Sequence, residues 1–264
     1  LKRQLDDLGL KVSTVEPAIY SDRKFQRGAL SSVEPAVRRA AIDIVKGTIE
    51  AATAAGSADI NLWLAQDGFD YILGTHYPDA WKCLMDSLEE IAAHEPALPI
   101  SIEYKCKEPR ANTYVGNCGR ALLLANKLNR PHVGITLDVG HALAALENAA
   151  ECAVLAMREG RLQQVHLNDN YREWDLDLIP GAANPWDLVE VFYWLRKLGY
   201  DGWHAVDVFP YRENGTESLQ RTVQVVQRCL AMADALDEAG LEDLLRQGRH
   251  LEALRILWEM VGPK

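Results

Sequence analysis

No two cysteines in this sequence stand at CxxC spacing; the five, at 83, 106, 118, 152 and 229, are odd in number and widely scattered. That pattern argues against a disulfide framework and a thiolate zinc site, and a reducing cytoplasm fits it best. No run of about eighteen apolar residues occurs, and the opening LKRQLDDLGL lacks the apolar core of a signal peptide. A membrane-bound or secreted class is therefore not indicated. Positive charge is in short supply too: 28 Lys and Arg against 38 Asp and Glu leave a formal net charge of -10. Affinity for nucleic acid rests mostly on cations that neutralise phosphates, so a nucleic-acid partner is disfavoured. Neither GxGxxG nor GxxxxGK(S/T) appears. The chain thus lacks the glycine-rich phosphate turn of a doubly wound nucleotide binder.

What the sequence has is a regular alternation of two periodicities. After the end of a helix over 1–8, stopped by Gly9, apolar strands are expected at 10–17, 60–65, 100–105, 133–139, 162–168 and 203–209. Each is followed by a stretch of helical spacing, at 34–55, 79–94, 112–128, 147–159, 185–198 and 216–239. Six consecutive βα units imply a parallel sheet covered by helices. Acids and histidines at the C-terminal ends of several strands favour a closed barrel, where functional side chains collect at that face. The expected fold is α/β, a (β/α)8 TIM barrel with about six of its eight units in this sequence. The chain opens on leucine. The first two units, roughly 50 to 70 residues by typical unit length, are expected to be absent, since six units alone leave two open sheet edges.

A chain of 264 residues with 48% hydrophobic content can fill one large core. The expected division is a barrel domain over 1–240 and a C-terminal helical extension over 241–264. The extension carries leucines 241, 244, 245, 251, 254 and 257 with Trp258 and is split at Gly248, which reads as two short amphipathic helices. An apolar face of that length needs cover, from the barrel itself or from a neighbouring subunit, and a homo-oligomer is expected.

The chemistry gathers around SIEYKCKEPR. Glu103 and Lys105 share one strand face, which by itself is as well explained by a surface ion pair. The later runs ITLDVGH, QQVHLNDN and WHAVDVF also end in Asp or His. Glu103, Asp138, His166 and Asp207 then read as one site built from four strand ends. Three carboxylates with one imidazole suit Mn²⁺, Mg²⁺ or Co²⁺ better than a thiolate-selecting metal. His141, three residues after Asp138, and the pair Asp175 and Asp177 on an extended loop, WDLDLIP, would make a second site beside the first. Each piece has an ordinary reading as well. A histidine after a strand commonly bonds to backbone, and WDLDLIP could be a solvated turn with capping acids. Most of the seven tryptophans are expected in the core; Trp63 and Trp174, beside the candidate loops, are the exceptions.

Taken in order, ExK in EYKCKEPR, DxxH in LDVGH, HxND in HLNDN, DxD in WDLDL and the last strand's aspartate in VDVF resemble the xylose isomerase-like barrel superfamily, and within it the L-rhamnose isomerase and related sugar isomerase branch. The resemblance implies a metal-dependent aldose–ketose isomerase with two divalent cations, manganese first among them, acting on a free sugar by hydride shift between C1 and C2. It implies structural metal ligands at Glu103, Asp138, His166 and Asp207, with Glu103 able to bridge, and catalytic metal ligands at His141, Asp175 and Asp177. Lys105 matches the lysine at the substrate oxygen beside the carbonyl, and Trp63 and Asp67 resemble positions near the sugar. Glu103, Lys105 and Asp175 are the expected catalytic residues, and Trp63, Asp67, Lys105 and Trp174 the expected sugar contacts.

Other functions remain open. A sugar 3-epimerase or hydroxypyruvate isomerase-like enzyme would use one metal with acid and base on the strands of Glu103 and Asp207. A non-catalytic sugar-binding barrel predicts a broken ligand, and all seven expected ligands are present. An apurinic endonuclease would need more histidines for zinc and a basic face for DNA, which the chain lacks.

Overall fold

The structure is a computed structural model that describes residues 2–260. Leu1 and the last four residues of the expected extension, 261–264, lie outside the described residues. The chain begins with α1 (Lys2–Asp7) and β1 (Thr14–Val15), followed by α2 (Pro35–Ala55). Pro35 suits the first turn of α2, where no amide partner is needed, and Gly56 closes it at φ 74. Next come β2 (Asp59–Trp63), a short β3 (Gly68–Phe69), α3 (Tyr77–Ala92), β4 (Ile100–Glu103), β5 (Asn112–Thr113) and α4 (Cys118–Leu128). Then follow β6 (Val133–Asp138), α5 (Val139–Ala144), α6 (Ala149–Arg158), β7 (Leu162–Leu167), α7 (Pro185–Lys197), β8 (Trp203–Val206) and α8 (Gly215–Glu238). Asn117, Asn148 and Asn214 cap α4, α6 and α8 with side-chain oxygens.

Six strands form one all-parallel sheet in the order β1-β2-β4-β6-β7-β8. The sheet is curled into an α/β half-barrel. Gln164 of β7 donates a hydrogen bond to Asp59 of β2, although two strands separate them. On a flat sheet those positions would lie about 14 Å apart, so the inner face is strongly concave. β4 and β6 are buried on both faces, as strands covered by helices on one side and enclosed on the other must be. The outer face packs on the helices through one apolar core that includes Phe25, Ile49, Leu62, Ile102, Tyr104 and Phe192.

Several element boundaries differ from expectation. The expected strand at 10–17 is laddered over two residues only, and the one at 203–209 stops at Val206. Both are edge strands with one side unpaired among the described residues, so fewer neighbours hold them in register. The helix expected from 112 begins at Cys118, because Asn112 and Thr113 instead pair antiparallel with Gly68 and Phe69. A Cβ at Gly68 would collide with the Asn112 carbonyl, so that pairing requires the glycine. The stretch after Asp138 is α5 from its first residue, because Asp138 Oδ1 accepts the His141 N–H at 2.7 Å and caps it.

Two short helices follow α8, namely α9 (Leu241–Arg246) and α10 (His250–Glu259). They pack beside α7 and α8, with Trp258 edge-on to Trp186 at 5.5 Å between ring centres. Leu251, Leu254 and Trp258 remain exposed. Among the described residues, no helix is long and apolar enough to cross a membrane.

Candidate metal centre and active-site cleft

Parallel register brings the strand ends level. Trp63 pairs with Glu103, and Asp138 with His166. Curling then draws Asp207, just past β8, across to the same point. One ligand atom from each of Glu103, Asp138, His166 and Asp207 lies within 4.8 Å of the others. His166 Nδ1 is 3.5 Å from Glu103, 3.9 Å from Asp138 and 3.8 Å from Asp207. Yet neither ring nitrogen of His166 has a hydrogen-bond partner among the described residues. Buried polar atoms are normally paired. Groups that face a common point without bonding one another fit a divalent cation held by oxygen and imidazole.

The carboxylates are held from behind. Asp138 caps α5 with one oxygen, and its other accepts from Asn168 Nδ2 at 3.1 Å. Asn168 Oδ1 in turn accepts the Gly140 N–H at 2.7 Å, and a Cβ at Gly140 would collide with it. That glycine is what allows the loops after β6 and β7 to touch. Glu103 Oε2 accepts from Asn61 Nδ2, while Asn61 Oδ1 accepts the Thr136 hydroxyl at 2.7 Å, which fixes the orientation of the amide.

A second group adjoins the first. His141 Nδ1 lies 3.2 Å from Glu103 Oε1, and its Nε2 lies 3.1 Å from Asp175 Oδ2. Lys105 Nζ is 2.8 Å from the same Asp175 oxygen and 2.6 Å from Glu108. The Lys105 ammonium also sits 5.1 Å from the Trp63 ring centre, and Lys107 lies 5.8 Å from that of Trp174. Asp177 is joined to the first group through Asn168 Nδ2 at 3.4 Å. The loop is not extended there as expected: Asp177 has φ 47, a left-handed conformation that costs a non-glycine residue on the order of 1 kcal/mol. Backbone of this kind concentrates at functional sites.

Charge and burial oppose each other throughout the cluster. Burial alone would raise the Glu103 carboxyl, but His166 first, then His141 and the Asn61 amide, carry it down to about 2. Burial and then the Glu103 and Asp175 charges push Asp138 up to about 6, against the pull of His141 and His166. Asp177 rises to about 7 through burial, Asp175 and Asp207. Burial disfavours the charged imidazoles, yet Asp138 and the other surrounding carboxylates raise His141 to about 10, and Glu103 foremost raises His166 to about 9. Asp175 is held below its ordinary range by His141 and Lys105, despite burial. Without a cation, the imidazolium groups balance the acids.

A cleft of about 690 Å³ opens above these groups. Among its lining residues are Trp63, Lys105, Glu103, His141, Trp174, Asp175, Asp177 and Asp207. Asp67 is not one of them. Its fully buried carboxylate accepts the Ala29 N–H at 3.0 Å and both the N–H and hydroxyl of Ser31 at 2.6 Å. Asp67, expected as a sugar contact, anchors the loop after β1 in the structure. Glu16 and Tyr20 line the cleft and were not foreseen. For Glu16 the available signal was an acid closing a strand, in STVEP; for Asn61, mid-strand, there was none.

The sequence profile of the xylose isomerase-like TIM barrel family matches residues 1–237. The xylose isomerase of Thermus thermophilus is 26% identical over 248 residues, covering 92% of this chain and 64% of that protein. A probable sugar isomerase of Rhizobium meliloti is 28% identical over 257 residues, covering 91% of this chain and 58% of that protein. The chain thus spans less than two thirds of the length of these relatives. A crystal structure of a D-tagatose 3-epimerase-like protein superposes with a TM-score of 0.74 at 20% identity, over 89% of this chain and 82% of the other. At that identity the likeness is one of fold.

Proposed function

The chain belongs to the xylose isomerase-like TIM barrel family, and from that premise we propose that it is a metal-dependent isomerase interconverting an aldose and a ketose. Within the family, the order ExK, DxxH, HxND, DxD supports the sugar isomerase branch that includes the L-rhamnose isomerases. The observation that carries the reading is the joining of two ligand groups through Glu103 and His141, with Lys105 beside Asp175. Glu103, Asp138, His166 and Asp207 would hold one divalent cation, and His141, Asp175 and Asp177, with Glu103 shared, a second. Mn²⁺ suits this oxygen-rich set, with Mg²⁺ or Co²⁺ as substitutes. When bound, such a pair of cations supplies positive charge to two neighbouring substrate oxygens.

The chain's own residues do the rest. Lys105, held by Asp175 and Glu108, donates a hydrogen bond to the oxygen at the carbonyl carbon and stabilises the charge that develops there. Trp63 and Trp174 flank the cleft and shield the reacting carbons from water. With solvent protons excluded, hydrogen moves between C1 and C2 as a hydride. The substrate is a free sugar, because carboxylates outnumber the lysine and arginine lining the cleft, Lys105 and Arg212, and Lys105 is already paired within it. The reading includes a cytoplasmic enzyme that associates as a homo-oligomer, supported by the exposed apolar side chains of α10. Elution as a monomer would remove the last point.

The test is NMR of a panel of free aldoses incubated with the protein and Mn²⁺ in deuterated water, against a chelator control. Ketose without deuterium at C1 is the expected result. Deuterium incorporation would instead mean proton transfer through an enediol, with Glu103 as base, and no reaction with any sugar would overturn the isomerase reading.

A further inference from the structure

The part of the cleft wall that follows β1, with Glu16 and Tyr20, has no part in the chemistry above, yet it is assembled for binding. Glu16 follows β1 directly, and β1 runs parallel to β2, so its carboxylate stands beside the Asn61 and Trp63 end of the sheet. Glu16 Oε2 lies 3.4 Å from Asn61 Nδ2, whose other contact is Glu103. It is not one of the four residues whose ligand atoms converge within 4.8 Å. Tyr20 packs on Trp63 at 4.7 Å between ring centres. Burial first, and then the Glu16 carboxylate, push the Tyr20 phenol above its ordinary value, which puts the acid next to the phenol. Trp63 Nε1 has no hydrogen-bond partner among the described residues. Lys105 lies against the same indole ring, so the Trp63 and Tyr20 platform has an ammonium and a carboxylate near it.

We propose that Glu16 and Tyr20 extend the sugar site past Trp63 as a subsite in which the Glu16 carboxyl accepts a hydrogen bond from a substrate hydroxyl beyond the two reacting carbons. The chemistry is that of neutral polyol recognition. An aromatic face packs against C–H groups, the indole N–H and phenol offer donors, and a carboxylate takes up hydroxyl protons in charge-assisted bonds. Glu16 lines the cleft, and its hydrogen bond from Asn61 is long at 3.4 Å, so the carboxyl retains accepting capacity for a ligand hydroxyl there. Burial and then the Glu103 charge raise the Glu16 carboxyl to about 7, so above that pH a phosphate or carboxylate on that part of the sugar would be repelled by it, which makes Glu16 a specificity-determining residue. The proposal rests on the sugar reading given above.

Calorimetric titration of the Mn²⁺-loaded protein with alditols and their monodeoxy counterparts tests it without requiring turnover. The expected result is that Glu16→Ala weakens the best alditol by about ten- to a hundredfold, the range for a hydrogen bond to a charged group. The same change should abolish the preference for that alditol over one particular deoxy form, while Glu16→Gln, which keeps an acceptor oxygen, restores part of it. Metal content measured on each variant should equal that of the parent. Should alditols bind the parent while Glu16→Ala leaves both affinity and preference unchanged, the subsite is wrong and the sugar reading stands. Failure of every aldose and alditol to bind the parent would overturn both.

Discussion

Two buried acidic centres lie on the inner face of the same curled sheet, and they have opposite surroundings. At the N-terminal end, Asp59 accepts from the Thr14 hydroxyl at 2.5 Å, the Ser101 hydroxyl at 2.7 Å and Gln164 Nε2. Burial raises its pKa and those three donors oppose the rise. At the C-terminal end, Glu103, Asp138 and Asp207 face His166, whose two nitrogens have no hydrogen-bond partner among the described residues. A buried carboxylate is costly unless it is paired. The first centre resolves that cost with neutral donors, as a structural acid does. The second leaves donor atoms turned to a shared point, as a ligand set does. Burial of an acid is thus no sign of function by itself; the state of its partners is.

The sharpest test of that contrast is to neutralise one acid of each kind. Glu103→Gln should lower turnover by about 10³-fold or more and reduce bound metal, measured by kinetics and elemental analysis. Asp59→Asn should leave metal content unchanged, and loss of metal there would erase the distinction between the two centres. Lys105→Met comes next. It should cut turnover by about 10²- to 10³-fold with both cations retained, and an unchanged rate would remove Lys105 from the mechanism.

Removing the metal sharpens the comparison through pH. His141 and His166 are raised to about 10 and about 9 in the folded, metal-free protein. Their contribution to stability is therefore full below the ordinary histidine value near 6.5 and fades as pH climbs through 9 and 10. Glu103, lowered to about 2, works the other way: its contribution is present above the ordinary carboxylate range and is lost as pH falls toward 2. The melting temperature of chelator-treated protein should fall from pH 7 to pH 10. With excess Mn²⁺ the trend should reverse over the lower part of that range, because ligands must shed protons to bind. Identical profiles with and without Mn²⁺ would argue against a metal at this cluster.

Smaller effects are expected where the acids are structural. Asp59→Asn should cost about 1–3 kcal/mol in urea unfolding, since its donors lose a charged acceptor. Asp67→Asn should cost a similar or smaller amount, about 1–2 kcal/mol, with KM for the sugar unchanged. A raised KM at unchanged stability would return Asp67 to the substrate site.

The sequence by itself determined the six βα units, the strand-end positions of Glu103, Asp138, His166 and Asp207, and the order of motifs that marks the family, because periodicity and chemistry at strand ends are local properties. The same logic was available for Glu16 in STVEP, but a two-residue edge strand carries little periodicity to mark its end. Asp67 shows the converse. In LAQDGFDY it has the look of a loop acid over the cleft, and only the return of residues 29–31 beneath it makes it a buried anchor. Only the tertiary structure decided that Asn61 orients Glu103, that Asn168 ties the loops after β6 and β7, and that Gln164 reaches Asp59 across two strands. Those contacts join residues 30 to 105 positions apart. Their existence depends on how far the sheet curls, a property of all six strands together that no single stretch of sequence carries.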